Sequence, residues 1–217
     1  MSLPVVAAGL YLGYLAINST INAIDFHLST QNLVQQVSKL DGRTYLVLPV
    51  KQAEAADLIA ATCRNIWHII STVRDWLQND PDKVPQSLRS GMRRLIGKYT
   101  SASDVMFYEL DSTQTKALAF NVGKSSSIFI CLRKELDTKV LADEPTILFI
   151  ALHELSHSAH EDTEPIDDSG FTVHGKRFKE YEQFLFQVAQ TIGLLNPQSV
   201  IGQVHCGSKI ANPATAL

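Results

Sequence analysis

The motif His-Glu-Leu-Ser-His at residues 153–157 constrains the fold of this chain more than any other feature. It follows an unbroken apolar run, residues 147–152, which predicts a buried helix. On a helix His153 and His157 lie four residues apart on one face, where two neutral imidazoles can bind Zn²⁺ at about 2.0–2.1 Å. The intervening Glu154 would then act on a water beside the metal as general base. Without a metal or another partner, these polar side chains at the end of a buried helix would be costly.

A third metal ligand is expected further along the chain. His174 precedes a second amphipathic helix, whose apolar residues recur at helical spacing: Phe178, Tyr181, Phe184, Leu185, Val188 and Ile192. That helix would bring His174 back beside the first one, so we prefer it as the ligand. His160 is a competitor, although it points partly away from the metal-facing side of its helix. A carboxylate from the acidic segment 161–168 is the other alternative.

Four stretches of the chain carry a resemblance to a known family. They are residues 117–123, residues 128–133, residues 152–157 and the pattern His174-Gly175-x-x-Phe178. Together they resemble the WLM-type and SprT-like (Spartan-like) zinc metallopeptidases. The resemblance implies an α+β, zincin-like fold with a small antiparallel sheet and an active-site helix.

The same resemblance implies the chemistry and the residues that perform it. Zn²⁺ is the expected cofactor, with His153, His157 and His174 as its ligands and Glu154 as the catalytic base. The expected activity is hydrolysis of peptide bonds in a protein or peptide substrate. In that family the last strand of the sheet is an edge that borders the cleft, and an extended substrate adds to it as a further strand. The corresponding substrate-binding residues here are Ile128, Phe129 and Ile130.

The N-terminal segment is the second informative feature, because residues 3–24 carry no charged side chain. A transmembrane helix needs about 20 predominantly apolar residues. Two hypotheses therefore stay open for residues 1–26: a membrane anchor, or a helix buried in the domain or at an interface. Lys39, Arg43 and Lys51 follow the segment. An anchored chain would accordingly be a single-pass membrane protein with its catalytic domain on the cytoplasmic side.

The rest of the sequence predicts one domain over residues 27–197, with its core at 104–195, followed by an irregular tail at 198–217. At 217 residues and 45% hydrophobic content, the chain can bury one sizeable core. Hydrophobic periodicity predicts two helices before this core, at 52–78 and from Pro85 to about Lys98. Runs rich in β-branched and aromatic residues predict a strand before them and three strands of a small, mainly antiparallel sheet, at 45–50, 105–110, 118–122 and 128–132.

The cysteines predict neither a disulfide framework nor a cysteine zinc site. Cys63, Cys131 and Cys206 are odd in number and widely spaced, with no C-x-x-C pair. A reducing compartment is therefore the default expectation. His205 lies next to Cys206, but no further ligand is near them in the sequence, so we expect a structural role for both.

Charge gives little information about partners, since the net charge is only −3. The predicted second helix carries four cations, Arg89, Arg93, Arg94 and Lys98. The resembling enzymes act on proteins crosslinked to DNA, so a soluble intracellular protease that contacts phosphates with this helix is one alternative. A second alternative is a structural or adaptor protein of a large membrane-containing assembly that retains the zincin-like fold. A minor capsid or membrane protein in the virion of a large DNA virus is an example.

Overall fold

The computed structural model describes residues 30–111, 118–122, 127–134, 139–160 and 174–210. These residues form a mixed α+β structure, as the sequence predicted. Its elements in chain order are β1 (Val34–Val37), β2 (Thr44–Val47), α1 (Gln52–Asn79), α2 (Arg89–Lys98), β3 (Phe107–Glu109), β4 (Ala119–Val122), β5 (Ser127–Ile130), α3 (Glu144–Ala159), α4 (Lys176–Thr191), β6 (Val204–His205) and β7 (Ser208–Lys209).

The hydrophobic N-terminal segment predicted at residues 1–26 lies outside the described residues. Within the described ranges, no helix is both long and apolar enough to cross a membrane.

The long helix α1 is the element around which the others pack. It contacts all three other helices and the strands β1, β2 and β3. Its inward face is buried, because apolar side chains recur every three or four residues along it: Ile59, Cys63, Ile66, Ile69, Ile70 and Val73. The helix ends at Asn79, where Pro81 follows Asp80 and disfavours the helical conformation before it. The predicted helix at 52–78 is therefore confirmed.

Helix α3 is buried on all sides for most of its length. Asp143 caps its first turn, since the carboxylate accepts a hydrogen bond of 2.9 Å from the backbone N–H of Thr146. Pro145 also lies in this first turn, where its missing N–H costs nothing. The apolar run 147–152 packs against helices on several sides, and each of its residues is at most 5% exposed. At the other end, Arg94 donates to the carbonyl oxygen of Ala159.

The principal sheet has three strands in the order β3-β5-β4. Its β4–β5 pair is antiparallel, but its β3–β5 pair is parallel. The prediction of a mainly antiparallel sheet is therefore wrong. The central strand β5 is buried on both faces, because Ile128 and Ile130 join the main helical core while Phe129 packs in a second apolar cluster.

A buried ion pair joins the principal sheet to the β2–α1 connection. Arg133 Nε lies 2.6 Å from Glu109 Oε1, and both side chains are at most 4% exposed. Glu109 also accepts a hydrogen bond from the backbone N–H of Leu48, and Arg133 donates to the carbonyl oxygen of Val50. Burial raises the pKa of the Glu109 carboxyl, against the opposing effect of Arg133.

Helices α2 and α4 approach closely at Gly91. A Cβ atom at this position would overlap with the ring of Tyr181, which is only 1% exposed. At Gly97, on the same helix, an added Cβ would meet no atom within 4 Å. The absence of a side chain at Gly91 therefore has a packing reason.

The C-terminal residues up to 210 belong to the domain. Strands β6 and β7 form an antiparallel hairpin, and Val200, Cys206 and Ile210 are buried. The sulfur atoms of Cys131 and Cys206 are bonded to each other. Two predictions are therefore wrong: residues 198–210 are not an irregular tail, and the cysteines do form a disulfide. The disulfide was missed because its two cysteines lie 75 residues apart in sequence.

Candidate metal centre

Three histidines from two elements converge at the end of α3. His153 and His157 lie one turn apart on that helix, and His174 lies just before α4. One ring nitrogen from each histidine lies within 4.8 Å of the others. All three side chains are partly exposed, so a ligand or substrate can reach them. The structure thus brings together the three residues that the sequence proposed as ligands.

The spacing of the nitrogen atoms suits a tetrahedral metal ion. The Nε2 atoms of His157 and His174 lie 3.3 Å apart. Two nitrogens bound at about 2.0–2.1 Å in tetrahedral geometry would be roughly 3.3–3.4 Å apart. Three imidazoles around one point leave a fourth position open, which is the arrangement of catalytic rather than structural zinc sites. The residues present therefore fit Zn²⁺.

Phe178 packs against all three imidazoles. Its ring is fully buried and stacks on His174 with the ring centroids 4.1 Å apart. The centroids of His157 and His153 lie 4.5 Å and 5.1 Å from it. Because Phe178 occupies the first turn of α4, it fixes the position of His174 relative to the two histidines of α3. This contact gives a physical role to the pattern His-Gly-x-x-Phe.

A residue that the sequence analysis missed lies behind His153. Glu182 of α4 is 5% exposed, and its Oε1 atom lies 2.6 Å from Nδ1 of His153. Since a carboxylate accepts hydrogen bonds, Nδ1 carries the proton, and Nε2 is the nitrogen that can coordinate a metal. Carboxylates hold metal-ligating histidines in this way in many proteins. The available signal was a carboxylate four residues after Phe178, on the buried face of the helix.

Glu154 is placed beside the sheet by the turn that carries His153. The residue is 5% exposed, and its carbonyl oxygen accepts a hydrogen bond of 3.3 Å from the side-chain amide of Asn121. Asn121 belongs to β4, so this strand runs next to the helix with the histidines. Among the described strands, β4 pairs on one side only, with β5.

The predicted substrate-binding strand is wrong. Ile128, Phe129 and Ile130 belong to the central strand β5, whose backbone pairs with a strand on each side. Their side chains are at most 1% exposed, and Phe129 stacks between Tyr108 and Phe120. A strand of this kind can neither accept an added peptide nor contact a substrate with its side chains.

Of the two alternatives for the third ligand, only His160 lies within the described residues. His160 follows the last residue of α3 and is 8% exposed, and it does not belong to the histidine cluster. The centroid of its ring lies 6.3 Å from the centroid of the Tyr181 ring. The acidic segment 161–168 lies outside the described residues.

Arg89 and Arg94 of the basic helix α2 are bound within the fold. Arg89 donates to the carbonyl oxygens of Val84 and Pro81, and Arg94 donates to that of Ala159. Arg93 and Lys98 are exposed. The surface left for phosphate contacts is therefore smaller than the sequence suggested.

Comparisons with known proteins place few constraints on this chain. No family model and no curated protein matches it. Among solved structures, the chain is similar to the crystal structure of Wss1 from Saccharomyces cerevisiae, with 18% identity and a TM-score of 0.30. The likeness covers 54% of this chain and 86% of that chain. Similarity at this level does not establish a family, so the functional argument depends on the site itself.

Proposed function

We propose that this chain is a zinc-dependent metallopeptidase of the WLM or SprT-like kind, with a zincin-like domain. His153, His157 and His174 would bind Zn²⁺, and Glu154 would be the catalytic base. The observation that supports this most is the convergence of three histidine nitrogens next to Glu154, with Glu182 behind His153. If these histidines bound no metal, there would be no need for a buried carboxylate that orients one of them.

Each residue has a distinct task in the proposed reaction. When bound, Zn²⁺ would polarise the substrate carbonyl and lower the pKa of the attacking water. Glu154 accepts the proton of that water and then donates it to the leaving amine. Glu182 keeps the proton of His153 on Nδ1, and Phe178 keeps the three rings in place. The low exposure of Glu154 strengthens its interaction with charges that form beside it.

We place the substrate along β4 rather than β5. A peptide in extended form can pair with the side of β4 that has no partner among the described strands. Asn121 links this strand to the backbone of Glu154, so a peptide bound there would run past the catalytic base. Recognition through backbone hydrogen bonds favours an extended or unfolded segment of a protein as substrate.

The location and the partners of the enzyme stay predictions from the sequence. Membrane attachment through residues 3–24, with the domain on the cytoplasmic side, remains our hypothesis for the N-terminal segment. The virion component, retaining the fold mainly as a scaffold, and the soluble DNA-protein crosslink protease remain the alternatives. They differ from the membrane-attached enzyme in testable ways, since a scaffold requires no hydrolysis and a crosslink protease requires nucleic-acid binding.

Zinc content and proteolysis together test the proposal. Elemental analysis should find one zinc per chain fewer in His174→Ala than in the wild type. Glu154→Gln should keep its zinc but cleave an unfolded protein such as casein about 10²–10⁴-fold more slowly, because it lacks the proton acceptor. A chelator should abolish the activity, and added Zn²⁺ should restore it.

His160→Ala is the matched control, because this histidine lies at the end of the same helix but outside the cluster. It should keep both zinc and activity. Equal zinc content in the wild type and in folded His174→Ala would exclude the three-histidine site. Full zinc content with no cleavage of any unfolded protein would favour the scaffold alternative.

A further inference from the structure

A second cluster of metal-ligating side chains lies between the principal sheet and the C-terminal hairpin. Cys131 follows β5, while His205 and Cys206 belong to the β6–β7 hairpin. One ligand atom from each lies within 4.8 Å of the others, and all three residues are buried. The two sulfur atoms are bonded to each other. A disulfide makes no use of the imidazole, whose burial beside the sulfurs needs a separate explanation.

The surroundings of His205 are those of a metal ligand. The residue is 1% exposed, and its Nε2 lies 2.8 Å from the carbonyl oxygen of Cys131. Because a carbonyl can only accept, Nε2 carries the proton and Nδ1 has the free electron pair. Nδ1 is buried and has no hydrogen-bond partner in the described part of the chain. A metal-ligating histidine commonly donates its other ring N–H to a carbonyl in this manner.

A buried nitrogen without a hydrogen-bond partner is energetically unfavourable. A metal bound to Nδ1 would remove this penalty. Histidine binds metals as the neutral imidazole, through the ring nitrogen that carries no proton. Two thiolates and one Zn²⁺ have no net charge, so such a site could be buried without an uncompensated ion.

The backbone presents the other donors. Cys206 has a positive φ of 45°, and Gly207 follows it with a φ of 75°. A left-handed conformation is unfavourable at a residue other than glycine, so the backbone at Cys206 is strained. The carbonyl oxygen of Arg133 lies 3.0 Å from Cys206 Sγ and 3.8 Å from Cys131 Sγ. It is a further donor near a three-ligand site.

We propose that Cys131, His205 and Cys206 bind one Zn²⁺ when both cysteines are reduced. The disulfide and the metal are then alternative links between the hairpin and the sheet. A dithiol reductant breaks the S–S bond, is itself oxidised to a disulfide, and supplies two electrons and two protons to the cysteines. Metal binding afterwards releases the two thiol protons. This second site is independent of the proposed peptidase function.

Cobalt binding to the full-length chain distinguishes the two sites. Co²⁺ bound to thiolate sulfur gives a charge-transfer absorption in the near ultraviolet, whereas Co²⁺ bound to histidines alone does not. We expect this absorption in the protein reduced with dithiothreitol, and we expect Zn²⁺ to displace it. His205→Gln should lose the absorption or weaken cobalt binding at least tenfold, although it keeps both cysteines.

Two control variants separate the sites. His157→Ala should keep the sulfur absorption even if it loses peptidase activity, so failure of the peptidase proposal would not affect this test. Cys63→Ala should also keep it, because Cys63 lies in α1 and is not part of the cluster.

A reduced wild-type protein without the sulfur absorption would overturn the proposal. Unchanged cobalt affinity and absorption in folded His205→Gln would overturn the role of the imidazole. If His205→Gln does not fold, X-ray absorption spectroscopy at the zinc edge of reduced, zinc-loaded His157→Ala tests the site instead. It should show two sulfurs at about 2.3 Å and a nitrogen at about 2.0–2.1 Å, and fewer than two sulfurs would refute the site.

Discussion

Removal of the carboxylate behind His153 should weaken zinc binding without removing any ligand. Glu182 is buried, and its hydrogen bond to His153 Nδ1 measures 2.6 Å. Loss of such a contact usually reduces metal affinity or activity by about 10- to 100-fold. This corresponds to about 1.4–2.7 kcal/mol. The expected reason is that the imidazole loses its fixed orientation and part of its basicity.

Two variants should differ in a graded way. Glu182→Gln keeps the shape of the side chain and an amide oxygen that can still accept from His153, so its zinc affinity should fall by about tenfold. Glu182→Ala loses the acceptor, so its zinc affinity should fall by up to about 100-fold. Zinc affinity is measured by competition with a chromophoric chelator. Urea unfolding of the metal-free protein shows separately whether the variant is still folded.

Glu180→Gln is the matched control. Glu180 lies on the same helix but is partly exposed and pairs with Arg177, so its substitution should change zinc affinity by less than about twofold. Wild-type zinc affinity in folded Glu182→Ala would refute the reasoning. So would an equal loss in the Glu180 and Glu182 variants, because the effect would then reflect only the charge of the helix.

Three further predictions concern stability and thiol chemistry. Gly91→Ala should lower the free energy of unfolding, measured with urea, by about 1–3 kcal/mol, since its methyl group would overlap with the ring of Tyr181. Gly97→Ala should be neutral or stabilising, and equal effects of the two substitutions would contradict the contact at Gly91. Glu109→Ala should cost about 3–5 kcal/mol because it leaves Arg133 buried and unpaired, and a loss below about 1 kcal/mol would contradict the buried ion pair. Burial raises the pKa of Cys63 to about 12, so iodoacetamide should alkylate this thiol at pH 8 only after unfolding, and rapid labelling of the folded protein would refute its burial.

Local pattern was enough to predict most helices and the residues of the histidine cluster. Helix α1 has apolar side chains at helical spacing, and α3 begins with an unbroken apolar run. A spacing of four residues places His153 and His157 on the same face. His174 could be proposed because a second amphipathic helix begins directly after it. The helices were predicted from the pattern within each segment, whereas His174 also needed the resemblance to a family.

Strand order was not available from local pattern, although one signal was overlooked. The run Ile128–Leu132 is apolar at every position, which is typical of a strand buried on both faces rather than of an edge. The resemblance to a family suggested an edge strand, and the structure places β5 at the centre. The parallel pairing of β3 with β5 depends on how the chain crosses the sheet, and no short segment encodes that crossing.

The sequence by itself determined the mixed α+β class and the helix with His153 and His157, and it proposed His174 as the third histidine. Only the tertiary structure decided which distant residues meet: Glu182 lies against His153, and elsewhere in the fold His205 and Cys206 lie against Cys131. The physical reason is the same in both cases. A helix or strand is specified by periodicity over a few residues. A contact between distant segments depends on how whole elements pack, and no short stretch of sequence specifies that packing.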